Sequence, residues 1–200
     1  MASGQVLVNF SGGVDSVYAA YTALKNGEKV LLHHCVLKSK NSRHMQEKRA
    51  VVKCIDFFKQ RNLKNFTYIE SGFDYGSLGY MVYDVELIGF ITGTILRNPA
   101  HKKINRVIVS VNADDPTGRD INAPRRVSAN AIAEQVAKRK LSWEYPFIHM
   151  TKEEVMRNMP PELLRRTWWC RRPQKNDMPC GKCAACSSTL PIVKSLTKYP

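Results

Sequence analysis

Ser11-Gly12-Gly13-Val14-Asp15-Ser16 carries the strongest structural signal in this chain. The apolar run over residues 6–10 predicts a buried strand before it, and residues 17–24 predict a helix after it. A Gly-Gly turn between strand and helix exposes backbone N–H groups at the positive end of the helix dipole, which attracts anions. The two serines can add hydroxyl donors, so we expect a phosphate site here rather than an ordinary corner. No Gly-Lys-Ser/Thr follows, which excludes a Walker A loop.

Four of the six cysteines form a second motif. Nine residues separate Cys170 from Cys180, and two residues separate each later pair, Cys180 from Cys183 and Cys183 from Cys186. This compact spacing predicts a tetrahedral Zn²⁺ site, which is structural because four protein ligands leave no open position. An iron–sulfur cluster also takes four cysteines and is the alternative. Disulfides are not expected, because no secretory signal precedes the first strand.

The bulk properties fit one globular domain with a small appendage, since the chain has 200 residues and 44% hydrophobic content. We expect a nucleotide-binding domain over residues 1–160 and a zinc-binding region over residues 161–200. No apolar run approaches the ~20 residues that cross a bilayer. A soluble, cytoplasmic chain in a reducing compartment is therefore expected. Cys35 and Cys54 lie in apolar or helical stretches and are predicted to be small buried residues.

The formal net charge is +14, and the basic residues lie in clusters. One interpretation is a surface for tRNA or DNA. The alternative is that these groups steer ATP and keep the protein soluble. No recognition-helix or paired-histidine zinc-finger pattern is present, so nucleic acid stays open as a partner but is not favoured.

Strand and helix patterns alternate along the chain. Strands are predicted over residues 5–10, 29–36, 65–70, 106–111 and 141–147. Helices are predicted over residues 15–25, 45–60, 84–96, 124–138 and 152–159. Asn26-Gly27 should end the first helix, and Thr151 with Glu154 should form a capping box on the last. The alternation predicts an α/β fold, a doubly wound parallel sheet with helices on both faces.

Ligands of such sheets bind at the carboxyl ends of the strands. The 11–16 loop lies there. So should His33, His34 and Lys38 after the second strand, and residues 112–122 after the fourth. Residues 72–83 predict a loop that could cover a site. Residues 189–197 predict a short helix that closes over the cysteines.

With both motifs placed, the sequence resembles the 7-cyano-7-deazaguanine synthase family of PP-loop ATP pyrophosphatases. That family joins an amino-terminal Ser-Gly-Gly-x-Asp-Ser loop, here residues 11–16, to a Cys and a Cys-Gly-x-Cys-x-x-Cys group, here Cys170 and residues 180–186. Arg43-His44 matches an Arg-His pair of the family. Residues 115–120 resemble its Asp-x-Ser-Gly loop, and Pro146 with residues 151–154 resembles the region that leads to the cysteines.

The resemblance implies an AMP-forming carbon–nitrogen ligase of queuosine biosynthesis. ATP would adenylate the carboxylate of 7-carboxy-7-deazaguanine, ammonia would give the amide, and a second ATP would give the nitrile. The implied cofactors are ATP, Mg²⁺ and Zn²⁺. The implied partners are the small deazapurine acid and ammonia, with a homodimer left open and no membrane. The alternatives are a PP-loop enzyme that modifies tRNA or another macromolecule, and a non-catalytic, zinc-bearing nucleic-acid binder.

Individual roles follow from the same resemblance. The loop residues Ser11, Gly12, Gly13, Val14, Asp15 and Ser16 would hold the nucleotide. Asp15 would orient Mg²⁺ or the nucleotide, Ser16 would hold pyrophosphate, and Arg43 would meet the substrate carboxylate. His44 would act as an acid or base. A salt bridge is the alternative role for Arg43, and a structural role is the alternative for His44. The expected substrate-binding residues are Asp84, Glu86, Asp115, Gly118 and Asp120.

One departure from the family pattern bears on the second substrate. The family's Pro-Gly-Arg-Asn before the third helix is absent, and this chain has Val82-Tyr83-Asp84-Val85-Glu86-Leu87 there. The change removes an arginine and adds two carboxylates beside the expected pocket. These carboxylates could point to solvent, pair with Arg43 or Arg97, or accept from the N–H edge of a guanine-like base.

Overall fold

The computed structural model describes residues 5–38, 43–78, 84–115 and 120–197. The strands are β1 Gln5–Asn9, β2 Lys29–Lys38, β3 Phe66–Asp74, β4 Arg106–Ile108 and β5 Ser142–Glu144. The helices are α1 Val14–Lys25, α2 Arg43–Gln60, α3 Val85–Arg97, α4 Pro124–Ala137, α5 Lys152–Arg157, α6 Pro161–Leu164 and α7 Ala184–Leu196.

The strands form one parallel sheet in the order β3-β2-β1-β4-β5. The chain runs outward from β1 through β2 to β3, then returns past β1 to β4 and β5. The strand order therefore reverses between β1 and β4, and a crevice opens at that point beyond the carboxyl ends. This confirms the doubly wound parallel α/β fold predicted from the alternation.

β1 is buried on both faces because its side chains alternate between two cores. Val6 and Val8 join a core with residues of α1, α2, α5, α6 and α7. Leu7 joins a second core with residues of α3 and α4. Helices thus cover both faces of the sheet. Leu163 and Val193, from the region beyond residue 160, belong to the first core, and the domain boundary at that position stays a prediction.

Several predicted element ends differ from the structure. β2 extends to Lys38, so the prediction that His33 and His34 follow this strand is wrong, and both lie inside it. β4 and β5 are shorter than predicted, at three residues each. Residues 72–74 form the end of β3 rather than a loop, and residues 79–83 of the predicted loop lie outside the described part. α7 begins at Ala184, five residues earlier than the predicted 189.

The predicted helix caps are confirmed. Thr151 Oγ1 accepts the Glu154 N–H at 3.2 Å, and Glu154 Oε2 accepts the Thr151 N–H at 2.7 Å. This capping box satisfies donors at both ends of the first turn of α5. At the end of α1, Asn26 is followed by Gly27 at φ +79°, a left-handed conformation that glycine adopts without a steric cost.

Two glycines of α3 let it approach α4 closely. A Cβ on Gly89 would lie 2.5 Å from the Ala129 carbonyl oxygen, and a Cβ on Gly93 would lie 2.5 Å from that of Ala133. These atoms belong to a helix backbone, so they cannot rotate away. The contact holds α3 and α4 together along one wall of the crevice.

Gly89→Ala should therefore destabilise the protein by about 1–3 kcal/mol, the usual cost of overpacking. Thermal or urea unfolding measures this. Gly72→Ala on β3 is the matched control, because its nearest neighbour would lie at 3.6 Å. An equal loss of stability in the two variants would contradict the close packing of α3 and α4.

In the described residues, no helix has the length and apolar character needed to cross a membrane.

Candidate functional site

Residues 11–16, the phosphate loop, connect β1 to α1 and are braced by their own serines. Ser16 Oγ accepts the Ser11 N–H at 3.2 Å and donates to the Gly13 carbonyl at 3.1 Å. Its oxygen also lies 3.0 Å from Ser11 Oγ. Ser16 is buried whereas Ser11 is exposed. Ser16 therefore shapes the loop, and Ser11 faces the space where a ligand would lie.

The glycines of the phosphate loop are required by its geometry. Gly12 has φ +78°, and a Cβ there would lie 2.9 Å from the Glu47 carbonyl oxygen on α2. Gly13 is the N-cap of α1 and offers no side chain to its first N–H groups. A helix start without a side-chain cap leaves backbone donors for an anion. The loop thus has the geometry of a phosphate site.

Asp15 in the first turn of α1 is held by two residues that lie far away in sequence. Its Oδ1 accepts from Asn112 Nδ2 at 3.0 Å, and its Oδ2 pairs with the Lys152 ammonium. Both charged side chains are only about one-fifth exposed, at 23% for Asp15 and 19% for Lys152. The Asp15 carboxylate and the Lys152 ammonium therefore neutralise each other, and the ammonium lies beside the start of α1.

A cavity of about 290 Å³ opens at the strand reversal between β1 and β4. Ser11 of the phosphate loop lies on its rim, so a ligand in the cavity would lie next to a phosphate on the loop. Residues 109–111, which follow β4, form part of the wall. The apolar wall includes Phe10, Leu37, Val85, Ile88, Val107 and Trp143. An apolar wall with polar and charged side chains beside it suits a heterocyclic ring that carries hydrogen-bonding groups.

A chain of hydrogen bonds fixes His33 on the floor of this cavity. Its Nδ1 lies 3.0 Å from Asn9 Oδ1 and its Nε2 lies 2.8 Å from Ser71 Oγ. Asn9 in turn donates to Thr92 at 3.0 Å. Burial lowers the pKa of His33 to about 4, so the imidazole is neutral at pH 7. Both ring nitrogens already have protein partners, so His33 can hydrogen-bond a ligand only if it gives up its bond to Asn9 or to Ser71.

Charged residues meet at one end of the cavity. Arg43 Nη2 donates to Asp84 Oδ2 at 3.1 Å, and Arg43 Nε lies 3.4 Å from Glu47 Oε1. Burial raises the pKa of Glu47 to about 7. Cys35 also lines this cavity and is half-buried. The prediction that Cys35 is simply a buried core residue is therefore wrong, whereas Cys54 is fully buried as predicted.

The four cysteines near residue 180 converge on one point. The sulfurs of Cys170, Cys180, Cys183 and Cys186 all lie within 4.8 Å of one another. A metal with four tetrahedral ligands at about 2.3 Å places its sulfurs about 3.8 Å apart, and Cys180 and Cys186 are 3.9 Å apart. We call this group the four-cysteine centre. It can hold a metal ion.

Backbone N–H groups favour the thiolate form of Cys180, whereas burial raises the pKa of the Cys170 and Cys186 thiols. Cys170 Sγ accepts from the Cys180 N–H at 3.2 Å and from the Arg172 N–H at 3.4 Å. The N–H groups of Lys182 and Cys183 lower the pKa of the Cys180 thiol to about 6. Because a metal needs thiolates, these donors fit a cationic ligand at the centre.

Two protein-family models match this chain, and each match contains one of the two motifs. The model of the family described as "Thiamine biosynthesis protein (ThiI)" matches residues 1–72, which contain the phosphate loop. The model described as "Queuosine biosynthesis protein QueC" matches residues 95–191, which contain all four cysteines. Together the two matches support a QueC-like PP-loop protein. The phosphate loop is accordingly its PP-loop.

The chain was also compared with curated protein sequences and with solved structures. No curated protein sequence matches this PP-loop chain. Among solved structures, it is similar to NMN synthetase from Francisella tularensis, with 17% sequence identity and a TM-score of 0.49. The match covers 82% of this chain and 65% of that one, so the chain spans less than two thirds of that protein.

The structure brings some of the predicted PP-loop site residues to the cavity and not others. Arg43, Asp84 and Asp115 line it. Glu86 lies 3.6 Å from Arg125 and is not among the lining residues. His44, beside Arg43 on α2, is likewise absent from the lining. Their predicted roles stay predictions.

The 115–120 segment is only partly described. Asp120 is exposed and accepts the Asn122 N–H at 2.8 Å. Gly118 lies outside the described residues, as do residues 116, 117 and 119.

Lys152 is the main site residue that the sequence did not single out. Its segment was predicted as a helix start and as part of the region that leads to the cysteines, without a role for the lysine, and its ion pair with Asp15 spans 137 positions. A lysine immediately after the capping threonine, at the carboxyl edge of the sheet, is the signal that could have found it. Glu47 was also missed, although it lies one helical turn after Arg43.

Proposed function

We propose that the chain binds ATP at the PP-loop and uses it to activate the carboxylate of a small deazapurine acid, 7-carboxy-7-deazaguanine. The observation that carries the proposal is the ring-sized cavity beside the PP-loop, within a QueC-like chain. This arrangement would bring a carboxylate on a bound ring to the α-phosphorus of a nucleotide on the loop.

The proposed chemistry proceeds in two activations. A carboxylate oxygen attacks the α-phosphorus, the bond to the β-phosphate oxygen breaks, and pyrophosphate leaves. Ammonia then attacks the acyl carbon, loses a proton and expels AMP to give the amide. The amide oxygen attacks a second ATP in the same way. Loss of AMP and two N–H protons leaves the nitrile, 7-cyano-7-deazaguanine.

The protein's contribution is positioning and charge stabilisation. The first N–H groups of α1 and the Ser11 hydroxyl would hold phosphate oxygens. Lys152 would supply positive charge to the leaving pyrophosphate, while Asp15 holds its ammonium in place. Because both Asp15 oxygens already have partners, Mg²⁺ would be held chiefly by phosphate oxygens, and Asp15 would become its protein ligand only by exchanging one of those partners. Such a mixed ligand set is usual for this ion, which would neutralise phosphate charge.

At the other end of the cavity, we propose that Asp84 accepts from the N–H edge of the deazaguanine ring. Arg43 holds the Asp84 carboxylate at the cavity wall, which corresponds to the pairing considered for the sequence. A carboxylate so fixed can still accept on its second oxygen. Neutral His33 and the apolar wall would contact the ring itself.

Asp84→Asn should raise the KM for the acid about tenfold, because a hydrogen bond to a charged acceptor is weakened. The KM for ATP should change less than twofold. Glu86→Gln is the comparison variant, because the Glu86 carboxylate faces Arg125. It should raise the KM for the acid less than Asp84→Asn does. Initial-rate kinetics with each substrate varied in turn make the measurement. A larger effect on ATP than on the acid would place Asp84 in the nucleotide site instead.

We further propose that the four-cysteine centre holds Zn²⁺ as a structural ion. Four protein ligands would leave no position for a substrate or water. An iron–sulfur cluster is the competing occupant, and metal analysis of the purified protein separates the two.

A macromolecular substrate such as tRNA is the second candidate function. Its support is the group of basic residues near the end of the chain, where Arg165 is exposed and the neighbouring Arg166 Nη1 donates to the Lys53 carbonyl of α2 at 3.0 Å. With a net charge of +14, such a group would attract a polyanion at low salt.

Mass spectrometry of products tests the proposal. Incubation with ATP, ammonium and 7-carboxy-7-deazaguanine should yield the amide or the nitrile. Unchanged acid, with active enzyme verified by ATP cleavage, would point to another acceptor.

A further inference from the structure

The segment that leads into the four-cysteine centre lies directly on the PP-loop. The Trp168 N–H donates to the Gly12 carbonyl at 2.9 Å. A Cβ on Gly13 would lie 3.5 Å from the Trp168 carbonyl oxygen, so the two backbones are in contact. Gly12 and Gly13 are therefore held from outside by a residue more than 150 positions later.

The side chain of the same tryptophan is tied to the centre. Trp168 Nε1 donates to the Cys170 carbonyl at 2.8 Å. Cys170 is 1% exposed, and its sulfur is one of the four that converge. One residue thus joins the backbone of a cysteine at the centre to the backbone of the PP-loop.

α2 closes the other side of this arrangement. Its backbone at Glu47 leaves no room for a side chain on Gly12. Within the cysteine region, Asp177 accepts from Gln46 on α2 at 2.6 Å and pairs with Arg49. The PP-loop is consequently clamped between α2 and Trp168, and both sides of the clamp are attached to the cysteine region.

We infer that Trp168 is a positioning residue that couples occupancy of the four-cysteine centre to phosphate binding by the PP-loop. In this account the centre affects the nucleotide site as well as the stability of the fold. An ion bound at Cys170 fixes the 168–170 backbone, and the Trp168 N–H then fixes the Gly12 carbonyl and the direction of the neighbouring loop N–H groups. This inference rests on the proposed binding of ATP at the loop.

Thermodynamic linkage makes the coupling reciprocal. If the ion favours the loop conformation that binds phosphate, bound nucleotide must favour retention of the ion by the same factor. A tryptophan that only filled space would lower stability but would not connect the two ligands.

The first measurement uses the zinc-loaded protein and α,β-methylene-ATP, which cannot be cleaved between the α- and β-phosphates. Trp168→Phe keeps an aromatic ring but removes the hydrogen bond to Cys170. We expect calorimetry to show about fivefold weaker binding, the effect of losing one hydrogen bond that orders the loop. The KM for ATP should rise by a similar factor with kcat changed less than twofold, which is the pattern of lost ground-state binding. Trp169→Phe is the matched control: that ring packs on the core and stacks on Trp168 with centroids 6.4 Å apart, an aromatic contact that phenylalanine can keep, and the change should leave nucleotide affinity within twofold.

The second measurement follows zinc loss to a chromogenic chelator with and without saturating α,β-methylene-ATP. Nucleotide should slow zinc loss severalfold in the wild type and in Trp169→Phe, and should slow it by a clearly smaller factor in Trp168→Phe, which keeps only the backbone bond to Gly12. Two results would overturn the coupling but not the proposed function. One is that Trp168→Phe binds the nucleotide analogue as tightly as the wild type does. The other is that bound nucleotide does not change the rate of zinc loss from the wild type. A wild type that binds no nucleotide would overturn the proposed function and the coupling with it.

Discussion

Asp15→Ala should lower the rate of AMP release by at least about 100-fold, the usual effect of removing one preorganised electrostatic group. The change removes the carboxylate that holds the Lys152 ammonium and accepts from Asn112. Lys152 would then lose its fixed position beside the start of α1. A quenched assay that separates AMP from ADP measures the effect.

Lys152→Met should cause a loss of similar size, and the double variant should be little worse than either single one. Residues that act as a unit show such non-additive effects. Zinc content and the thermal midpoint of each variant serve as controls for folding. If the rate loss of the double variant equalled the product of the two single losses, Asp15 and Lys152 would act independently, which would contradict this account.

Cys183→Ser should abolish stable metal binding and lower the thermal midpoint by about 10 °C or more. Metal affinity contributes directly to folding free energy at a four-thiolate site, and about 3 kcal/mol or more of lost stability corresponds to such a shift at this chain length. Calorimetric melting and metal analysis make the measurement. The wild type should hold one zinc per chain by the count of four thiolate ligands.

Cys35→Ala is the matched control, because its sulfur lines the cavity away from the centre. It should keep the zinc and the melting temperature of the wild type. Iron with visible absorbance in anaerobic preparations would instead identify a cluster. Wild-type stability in Cys183→Ser would show that the centre does not support the fold.

The parts of the fold that depend on local pattern were predictable from sequence. Alternating strand and helix signals predicted the doubly wound sheet, and the Thr151–Glu154 spacing predicted its capping box, which the structure contains. Cysteine spacing likewise predicted the four-cysteine centre. The capping box and the cysteine cluster join residues close in sequence, and the sheet was predicted from the local pattern of each strand and helix.

Strand ends were less predictable, because apolar runs serve two purposes. Residues 109–111 continue the apolar pattern of β4 but line the cavity instead of joining the ladder. α7 begins at Ala184, between Cys183 and Cys186, where the cysteine spacing had predicted only a metal site. A single sequence does not distinguish these cases from ordinary strand and helix ends.

The composition of the site depended on contacts across the sheet. His33 is buried inside β2 because Asn9 and Ser71, on the two neighbouring strands, satisfy both ring nitrogens. Trp168 reaches Gly12 across more than 150 positions. Pairings of this kind require the strand order and the path of the chain, which propensity and spacing do not supply.

AMP release from ATP, measured with alternative acceptors in separate reactions, tests the central claim most directly. One reaction contains 7-carboxy-7-deazaguanine and ammonium, and the other contains bulk tRNA. We predict AMP and pyrophosphate in the first reaction at rates well above those without acceptor, and no stimulation in the second. Release of ADP, or AMP release stimulated by tRNA alone, would contradict the small-acid adenylation proposed for this PP-loop protein.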